Sequence, residues 1–402
     1  MKYCQRCIMP ATRPGLRLNA EGICAACLWY EQKKTLNWQE KHKEFQDLAQ
    51  WAKATSRSPW DCVLGVSGGK DSTWQAIVLR EQFNLNPLLV QFASSDGTEL
   101  GRYNIENLVK LDFDLITIQP NPQIAQKLSK RSFLEYGNIH KYAELALFSA
   151  PFRVAIDYDI PLVFFGENPA LEAGDQNSGE GFDATKIINN NTLGGQSYRM
   201  WLEKDEVEEK DLQLYRFPTE DEFHRWQGKG IFMGYYLNWS GWENGIFAIE
   251  HGMKCIEADY KDIGIHYKHN SLDSDNGGIV NSMLKQTKLG FGNATEFACY
   301  DIRAGRISRE EGALLAKLLD GKCHPRYISA YCDWINISEN LFWETVKKFR
   351  GPMWRQEGAA WIITDPIWKQ VNCPEDKYLE TIIHKLDTQK KRTQDDSLVG
   401  IV

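Results

Sequence analysis

A doubly wound α/β fold on a parallel sheet is what this sequence predicts, with a small metal-bound module before it and a mainly helical region after it. Three observations carry the prediction. The apolar run Cys62-Val63-Leu64-Gly65-Val66 leads into the turn Ser67-Gly68-Gly69 and then into a helical stretch ending near Arg80. Further apolar runs of strand length alternate with helical stretches, as βαβ units require. Two CxxC pairs open the chain.

Residues 1–45 form the first part. Cys4 and Cys7, then Cys24 and Cys27, are separated by sixteen residues, the spacing of a tetrahedral four-cysteine zinc site. A segment this short buries too little apolar surface to fold without such a staple, so the site reads as structural. A redox CxxC or an iron–sulfur cluster is the competing assignment. Cys62, Cys255, Cys299, Cys323, Cys332 and Cys373 show no metal spacing and read as reduced thiols. From Glu31 to about Ala54 the pattern is that of a charged connector helix.

Residues 55–245 form the sheet domain. Its strands are read at Asp61–Val66, Pro87–Ala93, Phe113–Ile118 and Pro161–Phe165. Ligands of such sheets bind at the carboxyl ends of the strands, which here carry Ser67 to Ser72, then Gln91 and Phe92, then Gly166, Glu167 and Asn168. A Gly-, Asn- and Asp-rich stretch from Leu171 to Gln196 reads as a long loop over that crevice. The charge run from Glu203 to Asp211 reads as a solvated helix face.

Residues 246–402 read as mainly helical. Asn293…Glu296 and Ser308…Glu311 have the pattern of capping boxes, and Gly305 stands where the intervening helix needs a C-terminal cap.

At 402 residues and 43% hydrophobic content the chain can build two or three cores. Its longest apolar stretch is far too short to span a membrane and its first residues are no signal peptide, so a cytoplasmic protein without a membrane partner is expected. The net charge of −7 argues against a nucleic-acid partner.

The turn after the first strand is an anion site. Two glycines present successive N–H groups, the helix start adds partial positive charge, and Lys70 adds a full one. A Walker A loop would need Gly at position 64 and Ser or Thr at 71, but Leu64 and Asp71 stand there. The hexapeptide Ser67-Gly68-Gly69-Lys70-Asp71-Ser72 instead resembles the SGGxDS loop of the N-type ATP pyrophosphatases. That resemblance implies the adenine nucleotide alpha hydrolase-like (PP-loop) fold and cleavage of ATP between its α and β phosphates. A turn that merely joins strand to helix is the alternative.

The wider sequence resembles the N-acetyl sugar amidotransferases. The resemblance rests on the paired CxxC with Met9-Pro10 and Glu21-Gly22-Ile23-Cys24, the loop, Phe165-Gly166-Glu167-Asn168-Pro169-Ala170-Leu171-Glu172, and the segments Leu289 to Thr295 and Ile302 to Glu311. It implies a bacterial O-antigen or surface-glycan enzyme that turns an acetamido group of a nucleotide-linked N-acetyl sugar into an acetamidino group. ATP is the co-substrate, with Mg²⁺ and structural Zn²⁺ as metals. Ser67, Gly68, Gly69 and Ser72 would hold the leaving pyrophosphate, Lys70 would offset its charge, and Asp71 would help bind Mg²⁺. Gln91, Phe92 and Gly166 join the ATP site as strand-end residues. Glu167 and Asn168 are candidates for Mg²⁺ or the substrate amide, with capping of the next helix as the alternative.

Lys288, Arg303, Arg306 and Arg309 read either as ligands of phosphate or of an acidic sugar, or as a salt-bridged helix surface. Trp226, Tyr235, Tyr236, Trp239 and Trp242 read as core first and as a sugar or base platform second. His266 and His269 lack a third metal ligand nearby. No glutaminase nucleophile is evident, since position 2 is Lys2. The resemblance therefore implies separate glutaminase and ammonia-channelling subunits similar to those of imidazole glycerol phosphate synthase, and it leaves room for a homodimer. Two rival functions stand beside this one: a zinc-containing PP-loop tRNA-thiolation enzyme, with Cys62 as the cysteine nearest the loop, and a non-catalytic ATP-binding module.

Overall fold

Five parallel strands form the central sheet of the computed structural model, which describes residues 1–388 apart from 178, 180, 203–205 and 271. They are β1 (Cys62–Gly65), β2 (Pro87–Phe92), β3 (Leu115–Ile118), β4 (Leu162–Phe165) and β5 (Lys229–Phe232), in the order β3-β2-β1-β4-β5. The first four lie where the apolar runs predict them. The sequence does not signal the last: Lys-Gly-Ile-Phe holds too few apolar residues in a row, and tertiary pairing defines it, Leu162 with Lys229 through Phe165 with Phe232 on one side and a bridge from Asp183 to Ile231 on the other.

Parallel sheets are covered on both faces, and the strands alternate accordingly. Val63, Leu88, Val90 and Val163 join one core with Phe152 of the helix Lys141–Asp157. Leu64, Leu89 and Phe164 join the opposite core with Trp74 and Ile77 of the helix Lys70–Glu81. Phe45, Ala49 and Ala52 of the helix Trp38–Thr55 lie in that second core, so this segment, read as a connector, covers the sheet.

Between β4 and β5 the chain is mostly irregular. Its described residues hold 3₁₀ turns at Ile187–Asn189, Tyr198–Trp201 and Glu209–Tyr215 and the short helices Pro169–Glu172 and Glu220–Trp226. Glu203, Lys204 and Asp205 of the charge run lie outside the described residues, as do Ser178 and Glu180 of the long loop. The described end of the charge run opens the 3₁₀ turn and forms no α-helix face.

The C-terminal region is helical, with an antiparallel hairpin of β6 (Trp354–Glu357) and β7 (Ala360–Ile363). Residues 389–402 of its predicted span lie outside the described residues. The Ser308 box forms as read: Ser308 Oγ accepts from Glu311 N–H at 3.2 Å, and Glu311 Oε2 accepts from Ser308 N–H at 2.7 Å. Gly305 follows the helix Asn293–Arg303 with φ +71°, a left-handed conformation that suits glycine. The Asn293 box does not form. Gly292 is the N-cap, Thr295 N–H donates to Asp320 Oδ1 at 3.1 Å, and Asn293 Oδ1 accepts from Lys285 Nζ at 2.7 Å. A carboxylate from the end of the following helix replaces the local cap, and Glu296 is freed for Arg13 and Lys285.

The N-terminal module shares a core with this region rather than with its neighbour in sequence: Ile8, Ile23 and the four cysteines pack with Phe291, Ala298 and Leu314. Among the described residues no helix is long and apolar enough to cross a membrane.

Candidate functional site

The strand order reverses between β1 and β4, and the loops leaving those two strands diverge there to open a crevice. The loop after β1 turns at Gly68, whose φ is +75°; a Cβ at that position would lie 2.9 Å from the Ile105 backbone nitrogen. Gly69 caps the helix that begins at Lys70, and the hydroxyls of Ser72 and Thr73 donate back to its carbonyl at 3.1 and 3.0 Å. A helix start of this kind can bind anions, and Lys70 and Asp71 of this one line the crevice, while Ser67, Gly68, Gly69 and Ser72 are not part of its wall.

Lys70 pairs with the Asp71 carboxylate, and Asn244 Nδ2 donates to Asp71 Oδ1 at 2.9 Å. Burial, reinforced by the charge of Asp71, raises the Glu167 carboxyl above its ordinary range.

These groups line a cavity of about 1080 Å³ walled by all three parts of the chain. Lys70, Asp71 and Glu167 come from the sheet; Trp239 and Trp242 from the segment after β5; Arg13 and Tyr30 from the N-terminal module; Tyr300, Arg303 and Arg306 from the C-terminal region. Glu144, Glu172, Asp175, Glu243 and Glu296 also face it, so carboxylates outnumber cations along the wall. Sequence reading missed Arg13, Tyr30, Glu144, Glu172, Asn244 and Tyr300, because nothing in their local sequence marks them; only the meeting of distant segments does.

Several predicted residues have other tasks. Asn168 is fully buried: its Oδ1 accepts from Ala170 and Leu171 N–H at 2.8 and 3.2 Å, and its Nδ2 donates to the carbonyls of Gly179 and Gly181 at 3.1 and 2.7 Å. It caps a helix and ties down the crossing loop, so its amide does not reach the cavity. Phe92 packs against Tyr215 in the core, and Gln91 accepts from Thr117 Oγ1 at 3.1 Å. Gly166 supplies space: a Cβ there would lie 2.8 Å from the Trp239 ring.

Lys288 faces a second recess, where its Nζ donates to Tyr136 O at 2.5 Å. Arg309 donates to the carbonyls of Cys4 and Cys7, each at 3.0 Å, and so braces the cysteine module. Trp226, Tyr235 and Tyr236 pack with other aromatic rings. Cys62 is wholly buried, and burial pushes its thiol well up.

Behind the cavity, Asp301 accepts from Arg306 Nε at 2.7 Å and bonds His266 Nε2 at 3.0 Å, with Tyr267 OH as a further donor. Burial pushes His269 down to about 3, so that ring is neutral. Neither histidine belongs to a metal-ligating group among the described residues.

The four N-terminal cysteines form such a group. Their sulfurs lie within 4.8 Å of one another, with Cys4–Cys27 and Cys7–Cys24 both at 3.8 Å. A tetrahedron with Zn–S bonds of about 2.3 Å has edges of about 3.8 Å, so the set fits one such ion. Cys24 N–H donates to Cys4 Sγ at 3.3 Å and Met9 N–H to Cys7 Sγ at 3.5 Å, which fixes two of the sulfurs.

Residues 259–367 match a family model described as the C-terminal domain of LPS biosynthesis protein WbpG-like proteins. That segment contains Tyr300, Arg303 and Arg306 of the cavity wall and also Lys285 and Lys288. A stretch of 96 residues, 23% of this chain, is 33% identical to the uncharacterized protein MJ1599 of Methanocaldococcus jannaschii and spans 33% of that protein's length. The family match supports a lipopolysaccharide-biosynthesis family and is consistent with a role in glycan biosynthesis.

Proposed function

We propose that the chain is a PP-loop ATP pyrophosphatase acting as an amidotransferase: it adenylates the acetamido oxygen of a nucleotide-linked N-acetyl sugar and lets ammonia displace AMP. One observation carries the reading. Lys70 and Asp71 of the loop share a cavity with Arg303 and Arg306 of the segment matched to lipopolysaccharide biosynthesis.

An amide carbon is a poor electrophile and its oxygen a poor leaving group. In the proposed first step the amide oxygen bonds to the α-phosphorus while the bond from that phosphorus to the bridging oxygen breaks, releasing pyrophosphate. In the second, ammonia attacks the imidate carbon and the C–O bond breaks, leaving the amidine and AMP. The protein's part is positioning and charge stabilisation. The loop N–H groups and Ser67 would receive the pyrophosphate, Lys70 would turn from Asp71 toward it, and Arg303 and Arg306 would face the remaining phosphate or an acidic sugar. Trp239 and Trp242 present ring surface to the sugar or base.

Asp71 and Glu167 fit a divalent cation: both face the cavity, and the charge of one raises the other. Mg²⁺ held there would offset phosphate charge as it does in other phosphoryl-transfer sites. The four-cysteine group would hold Zn²⁺ as a structural ion.

An imidate open to water returns to the amide, so ammonia needs a sheltered route. A separate glutaminase with an ammonia-channelling subunit would supply it. The test is product analysis with ATP, ammonium and a panel of nucleotide-linked N-acetyl sugars. AMP, pyrophosphate and an acetamidino product by mass spectrometry are expected; glutamine should serve only when a glutaminase partner is added. Lys70→Ala should lower turnover by about a hundredfold or more. ADP and phosphate as products would refute the assignment.

A further inference from the structure

Beside the main cavity lies a recess of about 470 Å³ that no part of the adenylation chemistry uses. Arg13, Lys141, Lys285 and Lys288 line it against only two carboxylates, Glu144 and Glu296. Glu296 is already held between Arg13 and Lys285. Lys141 and Lys288 have no such partner: among the described residues neither lies within ion-pair distance of a carboxylate, and their ammonium groups donate to the backbone carbonyls of Thr192 and Tyr136. Both are largely withdrawn from water, and burial lowers each below the ordinary lysine range; at Lys141 the charge of Glu144 opposes this and Lys288 adds to it. Burial also pushes Glu144 up to about 7, so this carboxyl offsets only part of the excess near neutral pH.

Two cations withdrawn from water and facing one recess, with Glu144 offsetting only part of their charge, are unfavourable unless an anion joins them. The recess and the main cavity share Arg13, Glu144, Asn191 and Glu296, so they adjoin.

We infer that this recess is a second anion-binding site, separate from the loop after β1, in which Lys141 and Lys288 grip a phosphate group of the acceptor. A diphosphate held there would let the attached sugar enter the main cavity toward Lys70. The placement of the acceptor rests on the amidotransferase reading; the phosphate chemistry does not.

The experiment measures binding without turnover. Full-length protein and the variants Lys288→Gln, Lys141→Met and Lys70→Ala are titrated calorimetrically with UDP-N-acetylglucosamine, N-acetylglucosamine and inorganic pyrophosphate. Melting temperature confirms folding, and Lys288→Gln, the less buried change, keeps the test alive if Lys141→Met does not fold. The expected result is binding of the nucleotide sugar but not of the free sugar, weakened about tenfold or more by Lys288→Gln and unaffected by Lys70→Ala. Unchanged affinity in Lys288→Gln would overturn the site, as would loss of nucleotide-sugar binding in Lys70→Ala. Binding of pyrophosphate alone to the recess would keep a phosphate site and overturn the acceptor as its source. Because no arm needs ATP cleavage, failure of the amidotransferase chemistry would show elsewhere.

Discussion

Lys33, on the helix after the second cysteine pair, forms a buried ion pair with Glu172, on the short helix after β4. Lys33 Nζ also donates to Trp239 O at 2.9 Å, and Trp29 Nε1 donates to Glu172 Oε1 at 3.0 Å. The N-terminal module is thereby latched onto the rim of the cavity, and Trp239, a wall residue, is held by the same ammonium group. Breaking a buried pair on one side strands the other charge. Lys33→Met should therefore lower unfolding stability by about 3 kcal/mol, and adding Glu172→Leu should recover part of the loss. Urea unfolding of the single and double variants measures both; a double variant worse than the sum of its singles would contradict the latch.

Gly68 is fixed by geometry twice over, by its φ of +75° and by the Ile105 nitrogen 2.9 Å from where a Cβ would stand. Gly68→Ala should destabilise the chain by about 1–3 kcal/mol, since the loop must shift to admit the methyl group. It should also depress pyrophosphate release more than its effect on melting accounts for. Wild-type release in this variant would show that the loop's shape is not what binds phosphate.

The cysteine cluster predicts one zinc per chain by elemental analysis. Cys24→Ser should lose the metal, and chelation should lower the melting temperature by about 4 °C or more. Because the four cysteines share a core with the C-terminal helices, the loss should loosen those helices first, which hydrogen exchange can follow.

Glu144 predicts a pH dependence. Burial raises its carboxyl from an ordinary 4.5 to about 7, against the opposing effects of Thr192 and Lys141. The folded state thus holds its proton more tightly than the unfolded chain. This contribution to stability is complete below the unfolded value and is lost as pH rises through the folded one, by an amount on the order of 3 kcal/mol. Glu144→Gln, which cannot ionise, should flatten the profile between about pH 5 and about pH 8 in urea unfolding. An unchanged slope would place the titration elsewhere.

What the sequence determined by itself is what neighbours in the chain determine. Four strands, the glycine loop, the helix after it, the Ser308 cap and the Gly305 stop all follow from chemistry within a few residues, although the helix begins at Lys70, earlier than the stretch from Thr73 signals. The cysteine pairs are legible for the same reason: each pair bites one ion across a two-residue turn.

Tertiary structure decided which distant groups meet. Asn293 lost its predicted capping role because Asp320, 25 residues away from Thr295, supplies a carboxylate to that helix start. Lys288 and Arg303 lie close in sequence, yet one faces the recess and the other the main cavity, since they sit on different helices. Asn168 caps locally through Oδ1, but its Nδ2 is taken up because the crossing loop brings the Gly179 and Gly181 carbonyls to it. β5 is set by its pairing with β4 and by the bridge from Asp183 to Ile231. Residues such as Arg13 and Glu172 acquire a place in the site from partners more than a hundred positions away, Glu296 and Lys33, and no local pattern encodes a partner at that distance; the packing of the two flanking regions onto the sheet selects it.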